Sequence, residues 1–308
     1  MATASERDTI GAQSFRQLVA NAPASPNHDQ QACINLFQSA MEEIPPNLQW
    51  AFTTVMALRR KLGNYIKTSC GPDGRTIYIS VSGVLESTLD EVLGPLRNRI
   101  QLRVWWEGEA PAGIITLMPS ARHEFSAGRF ISNIPAKIWR IPGHDVWSTS
   151  LVGASRYSVP GRRSKEGSGG LRCSTRVGAA SWPNLMVEVG FSESLQMLRF
   201  DAQWWLLASG GLTRMVILIR ILSNPNSMHI EAWELQPNQR RSTRSSPSHI
   251  PAKSYSIDID AAGNTSHNLP LNIPYGVLFD TPRANQADTQ FTANELSMMA
   301  QRVFIDSQ

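Results

Sequence analysis

Two glutamates stand where a charge is costly, and they are this chain's strongest candidates for chemistry. Glu188 lies in the run Trp182-Pro183-Asn184-Leu185-Met186-Val187-Glu188-Val189-Gly190-Phe191, short and apolar enough for a buried strand. Strand alternation puts Leu185, Val187 and Val189 on one face, and Met186, Glu188 and Gly190 on the other. A carboxylate buried there is strongly disfavoured unless it is paired, protonated or bound to a cation. Glu124 precedes Ile131, Ile134 and Ile138 at helical spacing, which projects it onto the apolar side of a helix kinked at Pro135. Carboxylates converging on one cleft suit a hard divalent cation such as magnesium. Such a cation can activate water and stabilise charge on a phosphate. The competing roles are structural: an arginine partner for Glu188, and complementing the helix dipole for Glu124.

The elements that would position these residues follow from periodicity. After the Glu188 strand, Ser192 and Glu193 suit a helix start, and Leu195, Leu198, Ala202 and Trp205 form one helical stripe stopped by Gly210-Gly211. Met215-Val216-Ile217-Leu218-Ile219 is then a second buried strand, so the segment is a βαβ crossover with parallel strands. Leu102–Trp106 and Ile114–Met118 flank a turn and predict a β-hairpin. Upstream, Ile34, Phe37, Met41 and Ile44, then Leu48, Phe52, Val55 and Leu62, read as a helical hairpin, followed by a strand over 76–81 and a helix over 89–96. Thr292-Ala293-Asn294-Glu295 is a capping box opening a C-terminal helix.

At 308 residues and 42% hydrophobic content the chain can bury a sizeable core. Its 18% charged content is below the usual ~25%. Net charge is 29 − 25 = +4, a mild basic bias that permits an anionic partner. Arg156–Arg176 reads as a loop-rich basic segment, and Arg240-Arg241-Ser242-Thr243-Arg244 begins a second basic loop running to Lys253. Both are either solvated or phosphate-contacting. Cys33, Cys70 and Cys173 form no CxxC, and no apolar leader opens the chain. An intracellular protein, cytoplasmic or nuclear, with no membrane span is expected.

Other motifs are missing. His123-Glu124 lacks a second zinc-binding His, no phosphate-binding glycine loop follows a strand, and no GxSxG elbow is present. The order of elements around the two glutamates resembles the restriction-endonuclease-like superfamily, with its PD-(D/E)XK signature and helix–three strands–helix–strand core. The wording is similar to a lineage of uncharacterised fungal proteins assigned to that fold. Met118-Pro119-Ser120-Ala121-Arg122-His123-Glu124 carries this likeness, as do Trp182 to Leu195 and Leu198-Arg199-Phe200-Asp201-Ala202-Gln203-Trp204-Trp205-Leu206.

The resemblance implies an α/β fold, with a mixed sheet flanked by helices over residues 97–308, including the basic loop 238–253. A largely helical extension over 1–96 offers helices for self-association. It also implies a magnesium- or manganese-dependent endonuclease, or a descendant that keeps the fold without the chemistry and serves as a nucleic-acid-binding or scaffold protein. In the active form Glu124, Glu188 and Glu166 would hold the metal. Lys165 or Arg199 would orient the phosphate at the catalytic site, and Arg162, Arg163, Arg240, Arg241 and Arg244 would contact nucleic acid. Two signature positions depart from the pattern: Ser168 stands where the family has its metal-binding Asp, and Gly190 where it has its Lys.

Overall fold

The computed structural model describes residues 28–69, 75–118, 121–178, 181–192, 194–223, 225–238, 249–281 and 286–305. One mixed sheet takes β1 (Gln49–Ala51), β2 (Ile77–Ser82), β3 (Gln101–Glu107), β4 (Ala112–Met118), β6 (Arg156–Val159) and β7 (Arg163–Glu166), in the order β1-β2-β4-β3-β7-β6. The other takes β5 (Thr149–Val152), β8 (Gly169–Cys173), β9 (Leu185–Phe191), β10 (Met215–Ser223), β11 (Asn226–Pro237) and β12 (His249–Ile259), in the order β12-β11-β10-β9-β8-β5. A small pair, β13 (Leu271–Ile273) and β14 (Thr289–Phe291), stands apart. The helices are α1 (His28–Glu42), α2 (Val55–Ser69), α3 (Glu86–Leu93), α4 (Ala121–Ile138), α5 (Leu195–Ala208), the short α6 (Tyr275–Leu278) and α7 (Ala293–Ile305). The chain is therefore α/β, with two mixed sheets flanked by helices. Among the described residues no helix is long and apolar enough to cross a membrane.

β9 is buried along its whole length, as its apolar run demands. Its two faces feed different cores. Leu185, Val187 and Val189 join Phe130, Ile131, Ile134 and Ile138 of α4 and Leu296 and Ala300 of α7. Met186, on the face shared with Glu188, joins the core around α5. β9 and β10 are parallel, with Leu185 opposite Met215, and α5 makes the crossover between them. The Thr292–Glu295 capping box closes α7 reciprocally: Glu295 N–H donates to Thr292 Oγ1 at 3.2 Å, and Thr292 N–H to Glu295 Oε2 at 2.8 Å.

α5 is buried almost all round, because it bridges the two sheets and α1 packs against it. Trp204 meets Trp105 of β3 edge-on at 6.5 Å between ring centroids, and Trp205 meets Tyr157 of β6 at 5.5 Å. Such edge-to-face pairs add to the stability gained from burying their large areas.

The strand expected over 76–81 is β2, which pairs antiparallel with β4 from Ile77 opposite Leu117 to Ser82 opposite Ala112. Strand pairing thus crosses the expected boundary at residue 97. Phe37 and Ile44, read as a stripe available for self-association, are buried in the chain's own core. The Arg156–Arg176 segment is not loop-rich either, since it holds β6, β7 and β8. Its charges suit strands because the surroundings supply partners for them. Arg156 bonds Asp90 of α3 at 2.6 and 2.7 Å, and Arg163 lies 3.2 Å from Glu107 of β3.

Candidate functional site

The chain leaves β7 in one sheet and enters β8 in the other through Gly167-Ser168, and Glu188 lies at that crossing. An added Cβ at Gly167 would stand 2.4 Å from Met186 Cε and 2.7 Å from Trp205 Cζ2, so any larger residue would have to displace these side chains. The tight passage brings Ser168 against β9. Ser168 donates to Glu188 Oε2 from its backbone N–H at 3.0 Å and from its hydroxyl at 2.7 Å. Its Oγ in turn accepts the Val189 N–H at 3.0 Å and a short bond from Arg103 Nη1. Trp205 of α5 donates its indole N–H to Glu188 Oε1 at 2.6 Å. Arg103, projecting from β3 of the opposite sheet, places Nη1 3.4 Å from Glu188 Oε2. Glu188 is 2% exposed, and the arginine contact and these hydrogen bonds compensate its burial.

Lys165 and Asp201 share this cavity, whose free volume of about 10 Å³ is roughly that of one water-sized sphere. Lys165 Nζ lies 2.6 Å from Asp201 Oδ1 and 4.8 Å from the centroid of the Trp105 ring. Burial raises the Asp201 carboxyl to about 6, with Lys165 opposing the shift and Glu188 adding to it. Gly190, two residues beyond Glu188 on the same face, pairs with Arg220 of β10.

Glu166 also lines this cavity, while the remaining expected site residues lie elsewhere or outside the described residues. Glu166 turns both oxygens to arginines, accepting from Arg97 at 2.7 and 3.0 Å and from Arg156 at 2.8 and 3.1 Å. These bonds engage the oxygens a metal would need. Arg199 is not at the Glu188 cavity: it binds Glu231 of β11 through Nη2 at 2.6 Å and Nε at 3.1 Å. Glu231 lies in the same cross-strand row as Glu188, with Leu218 between them, two strand spacings or roughly 10 Å away. Arg163, expected at a nucleic-acid surface, is buried beside Glu107. Arg162 is half-buried. The side chain of Glu124, and Arg240, Arg241 and Arg244, lie outside the described residues.

Glu231 is a further buried carboxylate, fully enclosed. It accepts from Arg199, from Trp233 Nε1 at 2.8 Å, from Lys253 Nζ at 3.3 Å and from His229 Nε2 at 3.1 Å. His229 Nδ1 meets Asp258 at 2.6 Å. This ring of donors holds the Glu231 carboxyl well below the usual carboxylate range, and the two acids raise His229.

Sequence reasoning missed Arg103, Trp205 and Glu231 as members of these networks. For Arg103 and Glu231 a signal existed of the kind that marked Glu188: one charge inside an apolar strand, as in Leu102-Arg103-Val104-Trp105 and Ile230-Glu231-Ala232.

Magnesium requires hard oxygens in near-octahedral array. Among the described residues no group of three or more His, Cys, Asp or Glu is arranged to hold a metal ion. Both Glu188 oxygens receive N–H or O–H donors, and a guanidinium faces Oε2. As arranged, these residues do not fit a divalent metal ion. Neither family models nor curated proteins gave a match to this chain.

Proposed function

We propose that this chain is a restriction-endonuclease-like protein that keeps the fold without its phosphodiesterase chemistry, and that it acts as a binding or scaffold protein with nucleic acid as its partner class. One observation carries the reading: the Ser168 hydroxyl and the Arg103 guanidinium occupy the surroundings of Glu188, where metal-dependent hydrolysis would need a second acid and an ion. The topology supports the fold assignment. Helix α4 precedes β5, β8 and β9, which are antiparallel neighbours, and α5 then leads to β10, parallel to β9. This is the helix–three strands–helix–strand order that the resemblance implies, with β6 and β7 inserted into the other sheet. The net charge of +4 suits a polyanionic partner.

The test combines cleavage and binding. Plasmid DNA and single-stranded RNA, incubated with wild type or Glu188→Ala in magnesium or manganese, should stay intact. Fluorescence anisotropy with labelled oligonucleotides should show binding that weakens linearly in log–log salt plots. Cleavage that disappears in Glu188→Ala would restore the active-enzyme reading. Absence of binding at low salt would remove nucleic acid as the partner.

A further inference from the structure

Two arginines share one acid at the end of the second sheet where β9 and β10 begin. Arg176 follows β8, Arg214 precedes β10 and Asp280 follows α6. Arg176 holds Asp280 through Nε at 2.8 Å and Nη2 at 2.7 Å, and turns Nη1 to the carbonyls of Trp182 and Leu212 at 2.9 and 2.8 Å. Arg214 adds Nη2 to Asp280 Oδ1 at 2.7 Å and directs Nη1 to the carbonyls of Gly276 and Phe279 at 2.6 and 2.9 Å. The Arg176 guanidinium holds the Asp280 carboxyl well below the usual carboxylate range. The knot therefore keeps two positive charges against one negative charge. Each guanidinium offers five N–H donors. Four on Arg176 and three on Arg214 meet protein acceptors, so three stay uncommitted among the described residues, Arg214 Nε being one.

These three residues line a cavity with a free volume of about 850 Å³, within the range of small-molecule sites. Trp182, Val177 and Leu212 give it apolar walls. Val177 is 82% and Leu212 49% exposed, so apolar surface stands open to water beside an unbalanced charge. Trp182 packs on Trp204 and Trp205 at 5.7 and 5.8 Å between ring centroids, and Arg176 pins the backbone of both Trp182 and Leu212. The walls are thus preformed, which lowers the ordering cost of taking a ligand.

We propose that this cavity binds a small organic acid, one carboxylate on a flat apolar body. The carboxylate takes the free N–H donors of Arg214 and Arg176, and the body lies against Trp182, Val177 and Leu212. Guanidinium stays protonated at any working pH and matches a carboxylate with parallel N–H bonds. The surplus of one positive charge selects a single negative charge, because a second would find no counter-charge in the lining. None of the residues lining this cavity lines the Glu188 cavity. The inference is therefore independent of whether the chain cleaves or binds nucleic acid.

The probe is 2-naphthoate, a flat apolar body with one carboxylate, titrated into the full chain by calorimetry and by ligand-observed NMR. Saturable binding is expected, with a dissociation constant of about 1 mM or tighter. The neutral isostere 2-naphthylmethanol should bind at least about fivefold more weakly, since it lacks the charge that the guanidinia meet. Acetate, lacking the body, should compete only weakly. The site is located by variants at exposed wall positions that leave the Asp280 knot in place. Val177→Glu puts a like charge at the mouth and should weaken 2-naphthoate by roughly fivefold. Val177→Lys, of similar bulk and opposite charge, should bind at least as tightly as wild type. Leu212→Trp, which fills the cavity, should abolish binding while near-ultraviolet circular dichroism shows the fold retained. Any one of four results overturns the proposal. These are no saturable binding by the folded wild type, equal affinity for 2-naphthylmethanol, equal weakening by Val177→Glu and Val177→Lys, and unchanged affinity in Leu212→Trp. Should Leu212→Trp fail to fold, the Val177 pair still decides, because that side chain is almost wholly in solvent.

Discussion

Arg103 and Glu188 are separated by 85 residues and meet only because two sheets face each other. Sequence alone marked Glu188 as anomalous and allowed an arginine partner. It could not say which arginine, since a contact between sheets leaves no local periodicity. The pair sets the cost of losing either member. Glu188→Ala leaves a guanidinium buried without its acid, and the expected loss is ~3–5 kcal/mol in urea unfolding, unaffected by magnesium. A loss below about 1 kcal/mol would show that Arg103 finds other compensation. The Glu231 network gives a pH signature. His229 has a raised pKa in the folded protein because it donates to Glu231 and Asp258. Its contribution is therefore complete below the unfolded value near 6.5 and is lost as pH rises through the folded pKa. Glu231 works in the opposite window: its pKa is depressed, so its stabilisation is present above the usual carboxylate value and fades as pH falls. Consequently His229→Gln should be most destabilised relative to wild type below pH ~6.5, with the difference shrinking in alkaline buffer. A pH-independent difference in denaturant midpoints would remove His229 from the charge network.

Among the elements, those with a clean period were readable: the β3–β4 hairpin, the β9–α5–β10 crossover and the capped α7 all appear where apolar spacing places them. β6 and β7 were misread because their arginines and lysine looked like a solvated loop. Every residue of Arg163-Ser164-Lys165-Glu166 is buried, since Glu107, Asp201, Arg97 and Arg156 supply compensating charges from other elements. The passage from β7 to β8 depends on two glycines of unequal tolerance. A Cβ at Gly170 would lie 2.3 Å from the Leu185 carbonyl oxygen, which is backbone in the adjacent strand and cannot step aside. At Gly167 the nearest atom is the end of the flexible Met186 side chain, with Trp205 behind it. Gly170→Ala should therefore destabilise more than Gly167→Ala, with the latter within the ~1–3 kcal/mol typical of overpacking. Equal losses, or a larger one at Gly167, would mean that the Trp205 ring rather than the β8–β9 ladder limits the crossing.

For the whole molecule, the question is whether residues 97–308 form a separable unit. Apolar spacing suggested a largely helical extension over 1–96 with one strand at 76–81, and β1, only three residues long, left no pattern to read. Strand pairing and packing argue otherwise. Removing residues 1–96 would expose the β4 edge now covered by β2, and would strip Phe37 from Trp105, which it meets edge-on at 5.2 Å. It would also remove the α1 side chains Leu36, Phe37 and Ala40 from the core they share with α5. An unpaired edge beside exposed aromatic core is a template for aggregation. Moreover α5 carries Trp205 and Asp201, so loosening its packing reaches the Glu188 cavity directly. A 97–308 fragment is thus expected to lack a cooperative urea transition and to lose the near-ultraviolet signal of its packed tryptophans. If the fragment instead stays monomeric, unfolds cooperatively and keeps that signal, the first 96 residues are an appendage, and the Glu188 network stands without them.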